Sequence, residues 1–141
     1  MLATIEKVIF LQEVDIFKYT ATEDLAYIAA ITDEVELKAD KTIFKEGDFP
    51  DAMYIVIGDK IRLSRDEHEV MKARHKDVFG TWALFDDEAR VVTAVVIKDS
   101  RILRIYREDF IELLADNVRI TQGILKTMVK RLHSLMARVG L

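Results

Sequence analysis

Apolar residues recur about every 3.6 positions at both ends of the chain, but from Val35 to Tyr106 they recur about every second position. That change constrains the fold more than any other feature. Helices are expected at the two ends, with a run of short strands between them. Many short strands separated by turn signals suit a barrel or a jelly roll.

At the N-terminal end, Ile5, Val8, Ile9 and Phe10 fall at helical spacing around Glu6 and Lys7, predicting a short amphipathic helix. Thr20 and Glu23 are spaced as a capping box, which predicts the start of a second helix with Leu25, Ile28, Ala29 and Ile31 facing inward. Strands follow over Val35-Glu36-Leu37 and Thr42 to Lys45. Glu46-Gly47-Asp48 is a turn signal, and Pro50, the only proline, stands just beyond it.

Met53 to Ile57 is apolar on both faces and reads as an interior strand. Gly58-Asp59 then separates it from Lys60 to Ser64, where Ile61 and Leu63 alternate with polar residues, so a tight hairpin is predicted. Weaker or shorter strands cover Glu69 to Ala73, Val91 to Ile97 and Arg101 to Tyr106. Phe110, Ile111, Leu113 and Leu114 mark a helix from Glu108. Asp116 or Asn117 caps a longer helix toward Val139.

In that last helix Val118, Leu125, Met128, Leu132, Leu135 and Val139 fall near heptad a and d positions, with Thr121 the polar exception. The stripe either packs on its own chain or forms a seam between two chains. Its length favours a homodimer through residues 118–139.

With 141 residues, one domain over 1–141 is expected: helices over 1–33, the β-rich part over 34–106, and helices over 107–139. The absence of cysteine and of a signal-peptide pattern makes a soluble, cytoplasmic protein the expectation. The longest uncharged apolar run, Val91 to Ile97, is far short of a membrane span. A net charge of −4 gives no global attraction to nucleic acid.

The stretch from Phe79 to Val95 looks built to hold something. A glycine followed by a short helical turn leaves backbone N–H groups aimed at one spot, and an arginine entering the next strand can offer a two-toothed fork to a phosphate or carboxylate. The plainer reading is that Gly80 ends a strand and Arg90 is a solvated charge.

Phe79-Gly80, Ala83-Leu84 and Arg90, with Glu46-Gly47-Asp48 and Met53 to Val56, resemble the cyclic nucleotide-binding domain family in motif and spacing. This is the type found in the catabolite activator protein and the regulatory subunit of protein kinase A. The resemblance covers nearly the whole chain. It implies a mainly β fold, an antiparallel jelly-roll β-barrel with N-terminal helices and a long C-terminal helix. The loop 79–91 would be the phosphate-binding cassette, with Gly80, Thr81, Trp82, Ala83, Arg90 and Val91 around a cyclic nucleotide, cAMP or cGMP.

Family members usually carry a glutamate after the glycine, where it accepts from the ribose 2′-hydroxyl. Thr81 stands there instead, so the grip on the sugar is expected to be weak while the grip on phosphate remains. Ala89 replaces a usual proline, Val91 a usual small residue, and Trp82 is bulkier than usual, with the core as the alternative to a place at the ligand.

Two functions follow as expectations. One is a regulatory domain that relays ligand binding through its last helices to a partner or fused module. The other is a binding-deficient relative that serves for dimerisation or docking. An enzyme is not expected. The three histidines, His68, His75 and His133, lack metal-ligand spacing, and Asp86-Asp87-Glu88 reads as a solvated loop tip rather than a calcium loop. No cofactor or metal is expected, nor action on nucleic acid by this chain alone.

Overall fold

Short strands that are apolar on one or both faces need a second layer to cover them, and the chain supplies two. The computed structural model describes all residues from Met1 to Leu141. Helix α1 covers Thr4–Gln12 and α2 Thr22–Ala30. The strands are β1 Thr32–Leu37, β2 Thr42–Phe44, β3 Ala52–Gly58, β4 Ile61–Arg65, β5 His68–Ala73, β6 Val78–Phe79, β7 Thr93–Val96 and β8 Ser100–Tyr106. Helices α3, Arg107–Asp116, and α4, Val118–Arg138, follow.

The chain divides into two compact units, one over Ile31–Ile111 together with Met1, the other formed by Leu2–Ala30 and Glu112–Leu141. In the first unit, two four-stranded sheets run in the orders β1-β8-β3-β6 and β2-β7-β4-β5, all pairs antiparallel. Tyr54, Val56, Phe79 and Ile102 of one sheet meet Phe44, Ile61, Leu63 and Val96 of the other in a single core. The architecture is the expected antiparallel jelly roll, with one difference. The sheets face each other as two layers and do not close into a continuously hydrogen-bonded barrel.

Strand β3 is interior, as its sequence predicts, paired on one edge with β8 and on the other with β6. The hairpin predicted at Gly58-Asp59 does not form. Strand β4 pairs with β5 and β7 instead, so the two strands lie in different sheets. Asp59, at φ 68°, turns the chain from one layer to the other. Alternation reveals which face of a strand is buried but not which strand lies beside it. The real hairpin joins β4 and β5 through Asp66 and Glu67, both left-handed at φ 51° and 68°, as a primed turn requires.

In the second unit, Leu11, Ile16, Phe17, Leu25 and Ile28 are buried, and α4 buries Ile120, Gly123, Ile124 and Thr127. Gly123 is required, because a Cβ there would stand 2.7 Å from the Tyr19 carbonyl oxygen. The Thr20–Glu23 capping box is not made. Helix α2 starts one residue later than predicted, the Leu25 N–H bonds to the Ala21 carbonyl, and the Thr20 hydroxyl is buried without a partner. Glu23 instead accepts from Arg119, which also bonds Asp24 at 2.5 Å. Of the heptad stripe of α4, Val118, Leu125, Leu132, Leu135 and Val139 are all more than half exposed, while Met128 is partly buried. No helix is long and apolar enough to cross a membrane.

Candidate functional site

The site is assembled from the turn at Lys45–Asp48, the loop after β6 and the chain entering β7. The Gly47 N–H bonds to the Arg90 carbonyl at 2.8 Å and the Arg90 N–H to the Asp48 carbonyl at 2.9 Å. Gly47 reaches this position at φ 88°, a glycine conformation, and Asp48 closes the turn by accepting from the Lys45 N–H at 2.9 Å. The Glu46-Gly47-Asp48 turn therefore fixes the backbone of the arginine.

The Arg90 side chain points inward and is 7% exposed. Its guanidinium lies 4.1 Å from the centre of the Phe44 ring, which belongs to an aromatic group with Tyr54 and Phe79. Nη2 donates to the Ala52 carbonyl at 2.7 Å and contacts Asp51 Oδ1 at 3.4 Å, while Nε is buried with no hydrogen-bond partner. Asp51 is 61% exposed on its side chain, so its charge is largely spent on water. A buried guanidinium so weakly neutralised is costly, and a second anion with free lone pairs would relieve it.

Gly80 has φ 74° and packs directly on this guanidinium. A single turn of 3₁₀ helix over Thr81–Leu84 follows, in which the Ala83 N–H closes on the Gly80 carbonyl at 3.1 Å. The loop beyond it is braced by Arg107, which donates to the Asp86 carbonyl at 2.7 Å and to Asp87 at 3.1 Å.

A cavity of about 400 Å³ opens here, within the usual range for small-molecule sites. Gly80, Trp82, Ala83, Arg90 and Val91 line it, as do Phe44, Pro50, Leu63, Asp86 and Glu88. Of the six residues expected around the ligand, five thus border one cavity, and Thr81 is not among its lining. Trp82 does not take the alternative place in the core; it is 65% exposed at the rim. Asp86 and Glu88 put negative charge on that rim, which opposes a phosphate approaching Arg90.

Sequence reasoning missed Asp51, Phe44, Tyr54 and the brace Arg107. No spacing signal connects them to Arg90. Burial pushes the Tyr54 hydroxyl above its ordinary value of 10.0, and the Asp51 charge adds to the shift.

The profile of the cyclic nucleotide-binding domain matches residues 34–117. The chain belongs to the cyclic nucleotide-binding domain family. Among curated relatives, a cyclic AMP receptor protein of Thermus thermophilus is 29% identical over 98 residues, 66% of this chain and 45% of the relative. A cAMP-dependent protein kinase regulatory subunit of Aspergillus fumigatus is 34% identical over 107 residues, 74% of this chain and 26% of the relative. This domain thus spans about half the length of the first and a quarter of the second. The N-terminal domain of a transcriptional regulator from Streptomyces coelicolor superimposes with a TM-score of 0.84 at 24% identity, covering 89% of this chain and 94% of that one. That likeness shows the shared fold of the cyclic nucleotide-binding domain.

Proposed function

We propose that the chain is a regulatory, non-catalytic domain that binds a cyclic nucleotide, cAMP or cGMP, weakly, and passes the signal through α3 and α4 to a partner or fused module. One observation carries the reading: Arg90 is buried beside a cavity with its Nε unpartnered and only a solvated carboxylate for its charge. A cyclic phosphate offers the paired acceptors that a guanidinium fork fits best. Gly80, with no side chain, lets the guanidinium sit against the loop.

Weakness follows from three features. Thr81 supplies no carboxylate for the ribose, Asp51 competes for the guanidinium, and Asp86 and Glu88 repel the phosphate. Within this proposal residues 1–141 work as one domain, homodimeric through 118–139, with no membrane insertion and no action on nucleic acid by this chain alone.

A second reading is favoured by the exposed stripe on α4: a binding-deficient relative kept for dimerisation or docking. Titration calorimetry with cAMP and cGMP separates the two. Saturable heat supports the sensor, and no heat at millimolar ligand leaves only the docking module.

A further inference from the structure

Helix α4 carries Arg119, Lys126, Lys130, Arg131 and Arg138 and neither aspartate nor glutamate. The rest of the chain holds 16 of the 21 basic residues against all 25 acidic ones. The helix is therefore a positive island on an acidic chain.

The charges also converge. Lys18, Lys130, Arg131 and Arg138 line a groove of about 350 Å³ with Tyr19 and the hydroxyl of Ser134. Asp15 also lines it, and its charge is taken by Arg131 at 3.2 Å. No ion pair ties Lys18, Lys130 or Arg138. Tyr19 is 38% exposed, with the ammonium groups of Lys126 and Lys18 at 4.9 and 6.0 Å from the centre of its ring. Holding several like charges around one groove is unfavourable unless something negative joins them.

Lys126, Lys130, Ser134 and Arg138 succeed one another at steps of four residues, which puts them in one row on α4. Their rise is about 6 Å per step. Same-face side chains of an extended strand repeat at nearly that distance, roughly 6.7 Å. We propose that this groove docks an extended acidic segment of a partner protein, its Asp or Glu side chains set against this row and Tyr19 giving apolar contact between them.

A nucleic acid fits less well. The acidic remainder of the chain repels a long polyanion, and one tyrosine cannot stack a series of bases. Leu135, a member of the heptad stripe, also lines this groove, so the docking surface and the stripe adjoin along one edge of α4.

The test is fluorescence anisotropy on the full chain with three labelled probes: a glutamate-rich peptide, the same peptide with glutamine throughout, and an oligothymidylate of equal charge. The expected result is saturable binding of the acidic peptide that weakens as salt rises. Lys130→Glu with Arg138→Glu should lower that affinity about tenfold, with circular dichroism unchanged because both side chains are exposed. The proposal is overturned if the glutamate peptide fails to bind, if the glutamine peptide or the oligonucleotide binds as well or better, or if the folded double variant retains full affinity.

Discussion

A methyl group on Gly80 would stand 2.7 Å from Nη1 of Arg90 and 3.2 Å from the carbonyl oxygen of Ala52. Glycine and arginine therefore fit as a pair, with the absent side chain of one making space for the charge of the other. Because Gly80 also sits at φ 74°, any L side chain there is strained before it meets the arginine.

Gly80→Ala should accordingly lose about 1 to 2 kcal/mol of stability and displace the Arg90 guanidinium. Urea unfolding measures the first effect. Gly58→Ala is the control: nothing lies within 4 Å of its Cβ position and its φ is unremarkable, so its midpoint should hardly move. Equal behaviour of the two variants would contradict the pairing.

Thr81→Glu should raise affinity for a cyclic nucleotide about ten- to a hundredfold, the equivalent of one hydrogen bond to a charged acceptor. Calorimetry of variant and wild type under identical conditions gives the ratio. A ratio of one would place the obstruction elsewhere in the site, and Val91→Ala, which trims the cavity wall, then separates crowding from the charges of Asp51, Asp86 and Glu88.

The raised pKa of Tyr54 has a direct consequence for stability. The folded state prefers the neutral phenol more than the unfolded state does. That preference contributes fully below the unfolded value of 10.0 and is lost as pH rises through the folded value. Urea midpoints should fall as pH rises above about 10 in the wild type and fall less in Tyr54→Phe. Parallel curves would mean that Tyr54 ionises as freely folded as unfolded.

For α4, the wild type should sediment as a dimer and Leu132→Asp as a monomer of undiminished helicity, since Leu132 is 56% exposed. If both sediment as the same monomer, the stripe does not self-associate.

How much of this was written in the sequence depends on distance along the chain. The helical spacing of Leu25, Ile28 and Ala29, the doubly apolar β3 and the Gly80–Arg90 interval were legible because each is a local pattern. The partners of β3 and β4 were not, since in a jelly roll consecutive strands can enter opposite layers and no residue at Gly58-Asp59 distinguishes that crossing from a hairpin. The Asp66-Glu67 turn lacked the glycine or asparagine that usually marks a left-handed pair. Thr20 and Glu23 matched a capping box, yet tertiary contacts claimed Glu23 for Arg119. The hold of Asp51 and Ala52 on Arg90 spans 39 and 38 residues, beyond any motif.

Whether Arg90 anchors a cyclic phosphate is decided by a crystal structure grown with millimolar cAMP. Phosphate oxygens should lie within hydrogen-bond distance of the Arg90 guanidinium, its Nε included, with the ring of the nucleotide in the cavity bounded by Gly80, Trp82 and Val91. An empty cavity under saturating ligand, or a phosphate bound elsewhere while Arg90 keeps only Ala52 and Asp51, would contradict it.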